Sequence, residues 1–446
     1  MKRLFVWVWC ADGAIRQVGE LATTTPNRSS GHFESEFEYT RGWVSEPGAF
    51  ALDPVSLPLD AARRFRAELL YPPLGAFEDA LPDDWGRRLL AAAISADGGK
   101  PTLPEMLLRM RGGGTGALLF TATQIAPHPD QSVPSTALPL LLSAAARFEA
   151  GTLPPGDAFR RLLEGSSRAG GARPKALVHD EAGEWLAKFP SRTRDEAADV
   201  CGLEATCLAL ARRAGLEVPE SRLQTLGARR VLLVKRFDIS AQGGRHHMVS
   251  LRTLCKERPG ITAQRYSDIA QVLRRHSASP AEDLAALYRH MVFNAAIGNV
   301  DDHLKNFWML ARPGGFRLAP AFDLVPDISG RGEHTLSFQQ GFACPSRAEM
   351  IAVAAEWGIA RAVRIIKEVT LATASFSATA RRLKVRHSAS LQKVSAAVHR
   401  GALDCSGDES AQRPLFPHRT AQCVVSGQAT LQTWHIRAIL AGCARN

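Results

Sequence analysis

No Cys-x-x-Cys pair occurs in the 446 residues, which excludes a zinc ribbon and a thioredoxin-type redox motif. The eight cysteines are scattered at positions 10, 201, 207, 255, 344, 405, 423 and 443. Cys201 and Cys207 fall in a helical pattern and read as buried free thiols, which suits a reducing compartment. No apolar run approaches the length that spans a bilayer. The opening MKRLFVWVWC is too short for a signal-peptide core with a cleavage site and runs into the turn residues Ala11-Asp12-Gly13, so it reads as a first β-strand. These absences make the cytoplasm the expected location and leave no membrane partner. No Gly-Lys-Ser/Thr precedes a helix, so there is no Walker A loop. His303 has no spaced partner that would make a zinc set.

What is present is ordinary in amount and particular in pattern. The hydrophobic fraction is 45% and the charged fraction 22%, as in soluble globular proteins. The net charge is +11; it serves solubility, or it faces an acidic partner such as nucleic acid, ATP or an acidic protein surface. The length suffices for two or three domains.

Residues 1 to about 60 are strand-like and turn-rich. Asp60–Leu70 and Leu81–Ala93 read as helices, the second starting at Pro82 with two acids that suit the helix dipole. Arg111–Gly116 is a glycine loop ahead of the strand residues Ala117–Phe120. A loop at His128–Ser135 and a helix at Leu138–Phe148 follow. Then a Ser/Gly loop, Gly165-Ser-Ser-Arg-Ala-Gly-Gly-Ala-Arg-Pro-Lys175, leads into a hairpin that turns at Asp180–Gly183 and returns through Trp185-Leu-Ala-Lys188. Two readings fit it: a plain flexible hairpin, or a glycine-rich flap over phosphates of the kind protein kinases use. Lys188 sits among apolar neighbours. It is either an edge-strand lysine guarding against aggregation or a phosphate-binding lysine paired with a helix glutamate, for which Glu204 on the helix Asp199–Ala214 is placed. Val231–Phe237 reads as a strand, Lys256–Gly260 as a loop and Tyr266–His276 as a helix. Ser279-Pro-Ala-Glu282 reads as a capping box opening a long helix that ends at Gly298.

The stretch Asn299-Val-Asp-Asp-His-Leu-Lys-Asn306 follows that helix. Beyond it, two short apolar strands flank Pro313-Gly-Gly315 and make a hairpin, which brings Asp323 back toward Asn306. Phosphoryl transfer needs a metal to offset developing charge and a group to orient the nucleophile. Mg2+ takes oxygen ligands, so Asn306 and Asp323 suffice from the protein. Asp301 is placed to accept the proton of a substrate hydroxyl, and Lys305 to act on the phosphoryl group as a point charge. Asp302 and His303 read as ordering the loop. The competing reading is a polar turn capped by Asp.

At these residues the chain resembles the HipA family of toxin kinases. The resemblance is carried by Gly170-Gly-Ala-Arg-Pro-Lys175-Ala-Leu-Val, Leu186-Ala-Lys188-Phe-Pro, Arg236-Phe-Asp238, Gly298-Asn-Val-Asp-Asp-His-Leu-Lys-Asn306-Phe and Leu318-Ala-Pro-Ala-Phe-Asp323-Leu. Leu81-Pro-Asp-Asp-Trp-Gly-Arg-Arg88 and Gly116-Ala-Leu look like the family's amino-terminal region. The resemblance runs from near the start to about residue 385. It implies an α+β, two-lobed protein-kinase-like fold with an added N-terminal β-rich and helical subdomain and a mostly helical C-terminal lobe. The expected division is residues 1–125, 126–245, 246–400, and a poorly ordered extension over 401–446, which a shifted reading frame at the gene's end would equally explain.

The resemblance further implies ATP and Mg2+, a helix-turn-helix antitoxin that binds operator DNA, and a protein substrate such as an aminoacyl-tRNA synthetase. By position Asp301 matches the base, Asn306 and Asp323 the metal ligands, and Lys188 the ATP lysine. Ser167, Gly170, Gly171, Lys175, Glu204 and Asp238 complete the expected nucleotide site. One extra residue at Arg168-Ala169 leaves both Ser166 and Ser167 as autophosphorylation candidates. A non-catalytic partner of a DNA-binding antitoxin, and a small-molecule or lipid kinase of the same fold, are the alternatives.

Overall fold

Strand β1 (Lys2–Trp9) buries Leu4, Val6 and Val8 completely, the inward set of an alternating strand. It lies between β2 (Ile15–Thr23) and β5 (Leu118–Thr121). With β3 (Ser35–Tyr39) and β4 (Arg64–Arg66) these form an antiparallel sheet in the order β4-β3-β2-β1-β5. The computed structural model describes residues 2–24, 34–67, 75–110, 114–129, 132–154, 156–166, 173–192, 195, 198–256, 264–386 and 388–404, all within one unit spanning residues 1–411. The extension after Asp404, expected to be poorly ordered, lies outside the described residues.

The expected helix over Asp60–Leu70 is not there: its described part holds β4 instead. Arg64 and Arg66 point outward onto Glu38 and Glu36 of β3, while Phe65 is buried between them. That two-residue alternation, held by cross-strand ion pairs, outweighs the helix propensity of Ala61 and Ala62. Short helices α1 (Arg41–Val44) and α2 (Gly75–Asp79), then α3 (Asp84–Ala96) and α4 (Leu103–Arg109), complete this region. Phe37, Tyr39, Phe77 and Phe120 share its core.

A second sheet runs in the order β6-β7-β8-β10-β9, from β6 (Val133–Pro134), β7 (Lys175–Asp180), β8 (Gly183–Lys188), β9 (Ser221–Leu226) and β10 (Arg229–Lys235). Helices α5 (Leu138–Glu149), α6 (Asp157–Ser166) and α7 (Val200–Arg213) accompany it. β8 lies between β7 and β10, so the edge-strand reading of Lys188 fails. Sequence reading passed over α6, which is short but amphipathic, and β9, which is mostly polar.

The helical part begins with β11 (Met248–Ser250), α8 (Leu251–Leu254) and α9 (Tyr266–His276). α10 (Pro280–Ile297) follows. The expected capping box at its start is absent, because the Ser279 side chain makes no cap bond. Asp283 organises this end instead, accepting from Ser277 Oγ at 2.6 Å and from the Leu318 amide at 2.8 Å. Gly298 ends α10 with φ 66°, the left-handed region that favours glycine. β12 (Trp308–Arg312) and β13 (Gly315–Leu318) form the expected hairpin and pair with β11. Helices α11 (Arg347–Trp357), α12 (Ala362–Thr373), α13 (Phe376–Arg382) and α14 (Ala389–Asp404) close the described chain.

The N-terminal sheet docks onto the segment that joins β10 to β11. A Cβ on Gly244 would meet the Cys10 carbonyl oxygen at 1.9 Å, so only glycine permits this approach. Asp79, at the end of α2, accepts from the Ser250 amide and hydroxyl, both at 2.8 Å. Burial pushes the Asp79 carboxyl up to about 6 despite those bonds.

Candidate active site

The loop over residues 299–306 is fixed from beneath by one buried carboxylate. Asp302 is fully buried. It accepts from Tyr266 Oη at 2.7 Å, from the Thr335 amide at 2.8 Å and from the Leu336 amide at 3.3 Å. His334 Nδ1 lies 2.9 Å from it. Burial would raise this carboxyl, but His334 and the other donors hold it below its ordinary value. Tyr266 Oη in turn accepts from Asn294 Nδ2, and Asn294 accepts from Asn299. The expected ordering role of Asp302 is thus concrete. It turns the adjacent Asp301 outward, where it is exposed, with His303 Nε2 4.0 Å from its carboxylate.

An ion cluster, buried at Lys188 and Glu204 and partly exposed at Asp323, lies at the end of the middle sheet. Lys188 Nζ is 2.5 Å from Glu204 Oε1 and 2.6 Å from Asp323 Oδ1. The helix glutamate and the acid beyond the hairpin therefore meet on one lysine, although 135 residues separate Lys188 from Asp323. Burial alone would lower the Lys188 ammonium; Asp323 and Glu204 outweigh it and raise it. Burial would raise Asp323, but Lys188 and then Lys175 hold it well below the usual carboxylate range. For Glu204 burial dominates and leaves the carboxyl above its ordinary value despite Lys188. Asp323 also carries φ 56°, a strained conformation for a side chain other than glycine.

Lys175 stands directly across from Lys188 in the β7–β8 ladder. It is buried. Burial, and then the like charge of Lys188, push its ammonium down. No ion-pair partner within reach is found for it among the described residues. A buried, unmatched ammonium is costly without an anion.

Three expected residues are engaged elsewhere. Lys305 makes an ion pair with Asp83, just ahead of α3. Asn306 Nδ2 donates to the Asp301 carbonyl at 2.6 Å. Asp238, expected near the nucleotide, spends both oxygens on structure: Arg236 Nε at 3.0 Å, Arg236 Nη2 at 2.6 Å and the Gly116 amide at 2.7 Å. Gly116, the last residue of the glycine loop before β5, is thereby tied to Asp238. Ser167, Gly170 and Gly171 lie outside the described residues.

Sequence reading did not assign Asp83, Arg173 or His334. Arg173 pairs with the buried Asp195 at 3.0 Å and feels Asp323 and Glu204. Asp83 read only as a helix-start acid, and no local signal separates such an acid from one that reaches across 222 residues. Among the described residues no cluster of three His, Cys, Asp or Glu side chains gathers as for a resident metal. In the same residues no helix is long and apolar enough to cross a membrane.

A kinase-like, two-lobed arrangement with an added N-terminal sheet is the class that this fold and site define. Residues 167–376 match the family model described as HipA-like C-terminal domain. The chain is 28% identical over 334 residues to the protein named "Putative kinase Y4mE" of Sinorhizobium fredii, covering 67% of this chain and 74% of that one. It is 27% identical over 372 residues to "Putative kinase Y4dM" of the same organism, covering 77% and 85%. Its fold is similar to a chain from the solved complex of the Shewanella oneidensis MR-1 toxin–antitoxin system HipA, HipB and operator DNA. That match has TM-score 0.62 at 17% identity and covers 90% of this chain and 96% of that one. Residues 167–376 thus carry a HipA-like C-terminal domain, and the chain is similar over most of its length to proteins named as kinases.

Proposed function

We propose that this protein is an ATP- and Mg2+-dependent serine/threonine protein kinase, the toxin of a HipA-like toxin–antitoxin module. The observation that carries this reading is the pair of facing buried lysines, one clamped by Glu204 and Asp323, the other with no ion-pair partner within reach among the described residues. A triphosphate is the ligand such a pair suits.

The donor set fits a magnesium ion. Asn306 gives its Nδ2 to the Asp301 carbonyl, which leaves Oδ1 as the donor atom for a cation. Asp323 is held ionised by the two lysines. Asn306 and Asp323 would hold the ion, and the bound Mg2+ with ATP supplies the γ-phosphoryl group and offsets its charge. The chain's own residues do the rest. Lys175 and Lys188 bind phosphate oxygens, and Glu204 keeps Lys188 aimed. Lys305 places a further positive charge beside the loop. Asp301, exposed at the mouth, takes the proton of the attacking hydroxyl as its oxygen bonds to phosphorus and ADP leaves. Protein hydroxyls suit this exposed base better than a small enclosed acceptor does. Ser166, the last residue of α6, or Ser167 after it is the autophosphorylation site under this reading.

For partners, the HipA–HipB–DNA complex of similar fold supports a helix-turn-helix antitoxin, with DNA reached through it. An aminoacyl-tRNA synthetase in the cytoplasm is the proposed substrate. Calorimetric titration with ATP and Mg2+ tests the nucleotide site. The wild-type protein binds, and Lys175→Ala weakens binding at least about tenfold, the scale of one charge-assisted bond. Absence of ATP binding by the wild type at millimolar nucleotide would contradict the proposal.

A further inference from the structure

We propose that Asp83 is a positioning residue of the transfer site: the N-terminal region reaches into the catalytic loop and holds Lys305 in place. The inference rests on the kinase reading of that loop and adds to it a residue from outside the region that the family model matches.

Asp83 occupies the N-cap of α3, where aspartate ordinarily accepts from the first amides of its own helix. Here its side chain makes no cap bond. The carboxylate turns to Lys305 instead. Lys305 has no other ion pair among the described residues, and its carbonyl accepts from Trp308 Nε1 at 2.6 Å, so backbone and side chain are both tied. Asp83 also senses Lys175 across the site, which puts it in the field of the lysine that awaits an anion.

The mount is rigid. Two residues on, Trp85 is completely buried and meets the Phe148 ring edge-on at 5.4 Å. Trp85 belongs to the same core as Ala176, Ala187 and Trp185 of β7 and β8. The helix carrying Asp83 is thus packed under the strands that carry Lys175 and Lys188. A second acid four residues earlier, Asp79, holds Ser250 at the start of α8, and the Leu251 amide there donates to the Phe307 carbonyl at 2.8 Å. Both sides of the loop's end are therefore held by the N-terminal region. A lysine carries a long flexible stem, and a fixed carboxylate removes most of its freedom before substrate arrives.

The test compares wild type, Asp83→Asn, Asp83→Ala, Lys305→Ala and the Asp83→Ala/Lys305→Ala double variant in full-length protein. One readout is transfer from γ-labelled ATP to the protein itself. The other is acetylation of Lys305 by an N-hydroxysuccinimide ester, followed by mass spectrometry. Asp83→Asn keeps a polar N-cap of the same shape, so a fold failure in Asp83→Ala does not end the test. We expect Asp83→Asn to lower kcat about tenfold with KM for ATP within about twofold, the scale on which loss of orientation acts. We expect Lys305 to acetylate several-fold faster in both Asp83 variants, and the double variant to lose no more than Lys305→Ala alone. Equal kcat in Asp83→Asn and wild type, unchanged acetylation, or losses that multiply in the double variant would each overturn the positioning role. A wild type that transfers nothing overturns the kinase reading itself.

Discussion

Lys188→Met is expected to cut phosphoryl transfer at least about 10²-fold, the scale on which removal of one preorganised charge acts. Methionine keeps the stem and removes the ammonium, so shape is nearly conserved. Both acids then lose the ammonium that contacts them, and Asp323 keeps only the more distant charge of Lys175. Glu204 is buried to 3% exposure, and stripping one partner from a buried pair costs about 3–5 kcal/mol. The loss depends on pH in a fixed direction. Burial already lifts the Glu204 carboxyl above its ordinary 4.5, and without Lys188 it rises further. A folded state whose acid has a raised pKa binds the proton more tightly than the unfolded chain. The deficit of the variant relative to wild type that comes from Glu204 is therefore smallest below pH 4.5 and grows as pH rises from there through the folded value. Melting curves from pH 4 to 8 check this. A variant as stable as wild type at pH 7.5, with unchanged transfer, would show that Lys188 is not the charge on which the site turns.

Asp238→Ala is expected to act on stability rather than on nucleotide. Arg236 and Asp238 are both buried, at 7% and 3% exposure. The guanidinium also reaches Glu184 at 2.8 Å and the Gly114 carbonyl at 3.1 Å, so Asp238 ties β8, β10 and the turn before β5 together. Removing it leaves a buried guanidinium and the Gly116 amide short of a partner, a loss of about 3–5 kcal/mol. Denaturant unfolding measures it, through a lower midpoint. ATP affinity of the folded fraction stays within about twofold, well under the tenfold that one charge-assisted bond is worth. The reverse outcome, intact stability with weakened ATP binding, would return Asp238 to the nucleotide site where its place in the sequence motif had put it.

These two residues also mark how far the sequence was legible. Lys188 and Glu204 could be paired in advance because each sits on an element with a clear period, a hairpin strand and a helix, whereas Asp323 was expected only beside Asn306 and its contact with Lys188 was not foreseen. Regular elements project side chains in known directions, so their ends can be matched. Asp238 and Asp83 sit outside such periodicity, one after a strand end and one before a helix start. Asp83 meets Lys305, and Asp238, besides its local bonds to Arg236, meets the Gly116 amide; both of these partners lie more than a hundred residues away, and nothing local points to them. β4 was misread for a similar reason: its alternation lasts three residues and depends on Glu36 and Glu38 in another strand. The capping box before α10 failed because Ser279 makes no side-chain cap bond and Glu282 pairs with Arg317 instead.

The measurement that bears most directly on the account is transfer from γ-labelled ATP by the purified protein, with and without Mg2+, beside Asp301→Ala. Asp301 is exposed and makes no buried contact, so its loss leaves the fold intact while removing the proton acceptor, an effect of about 10²–10⁴-fold. The account predicts Mg2+-dependent label on the protein itself or on an added aminoacyl-tRNA synthetase, lost in Asp301→Ala and in the absence of the metal. Label that persists undiminished in Asp301→Ala, or a wild type that transfers none while folded and ATP-bound, would contradict it.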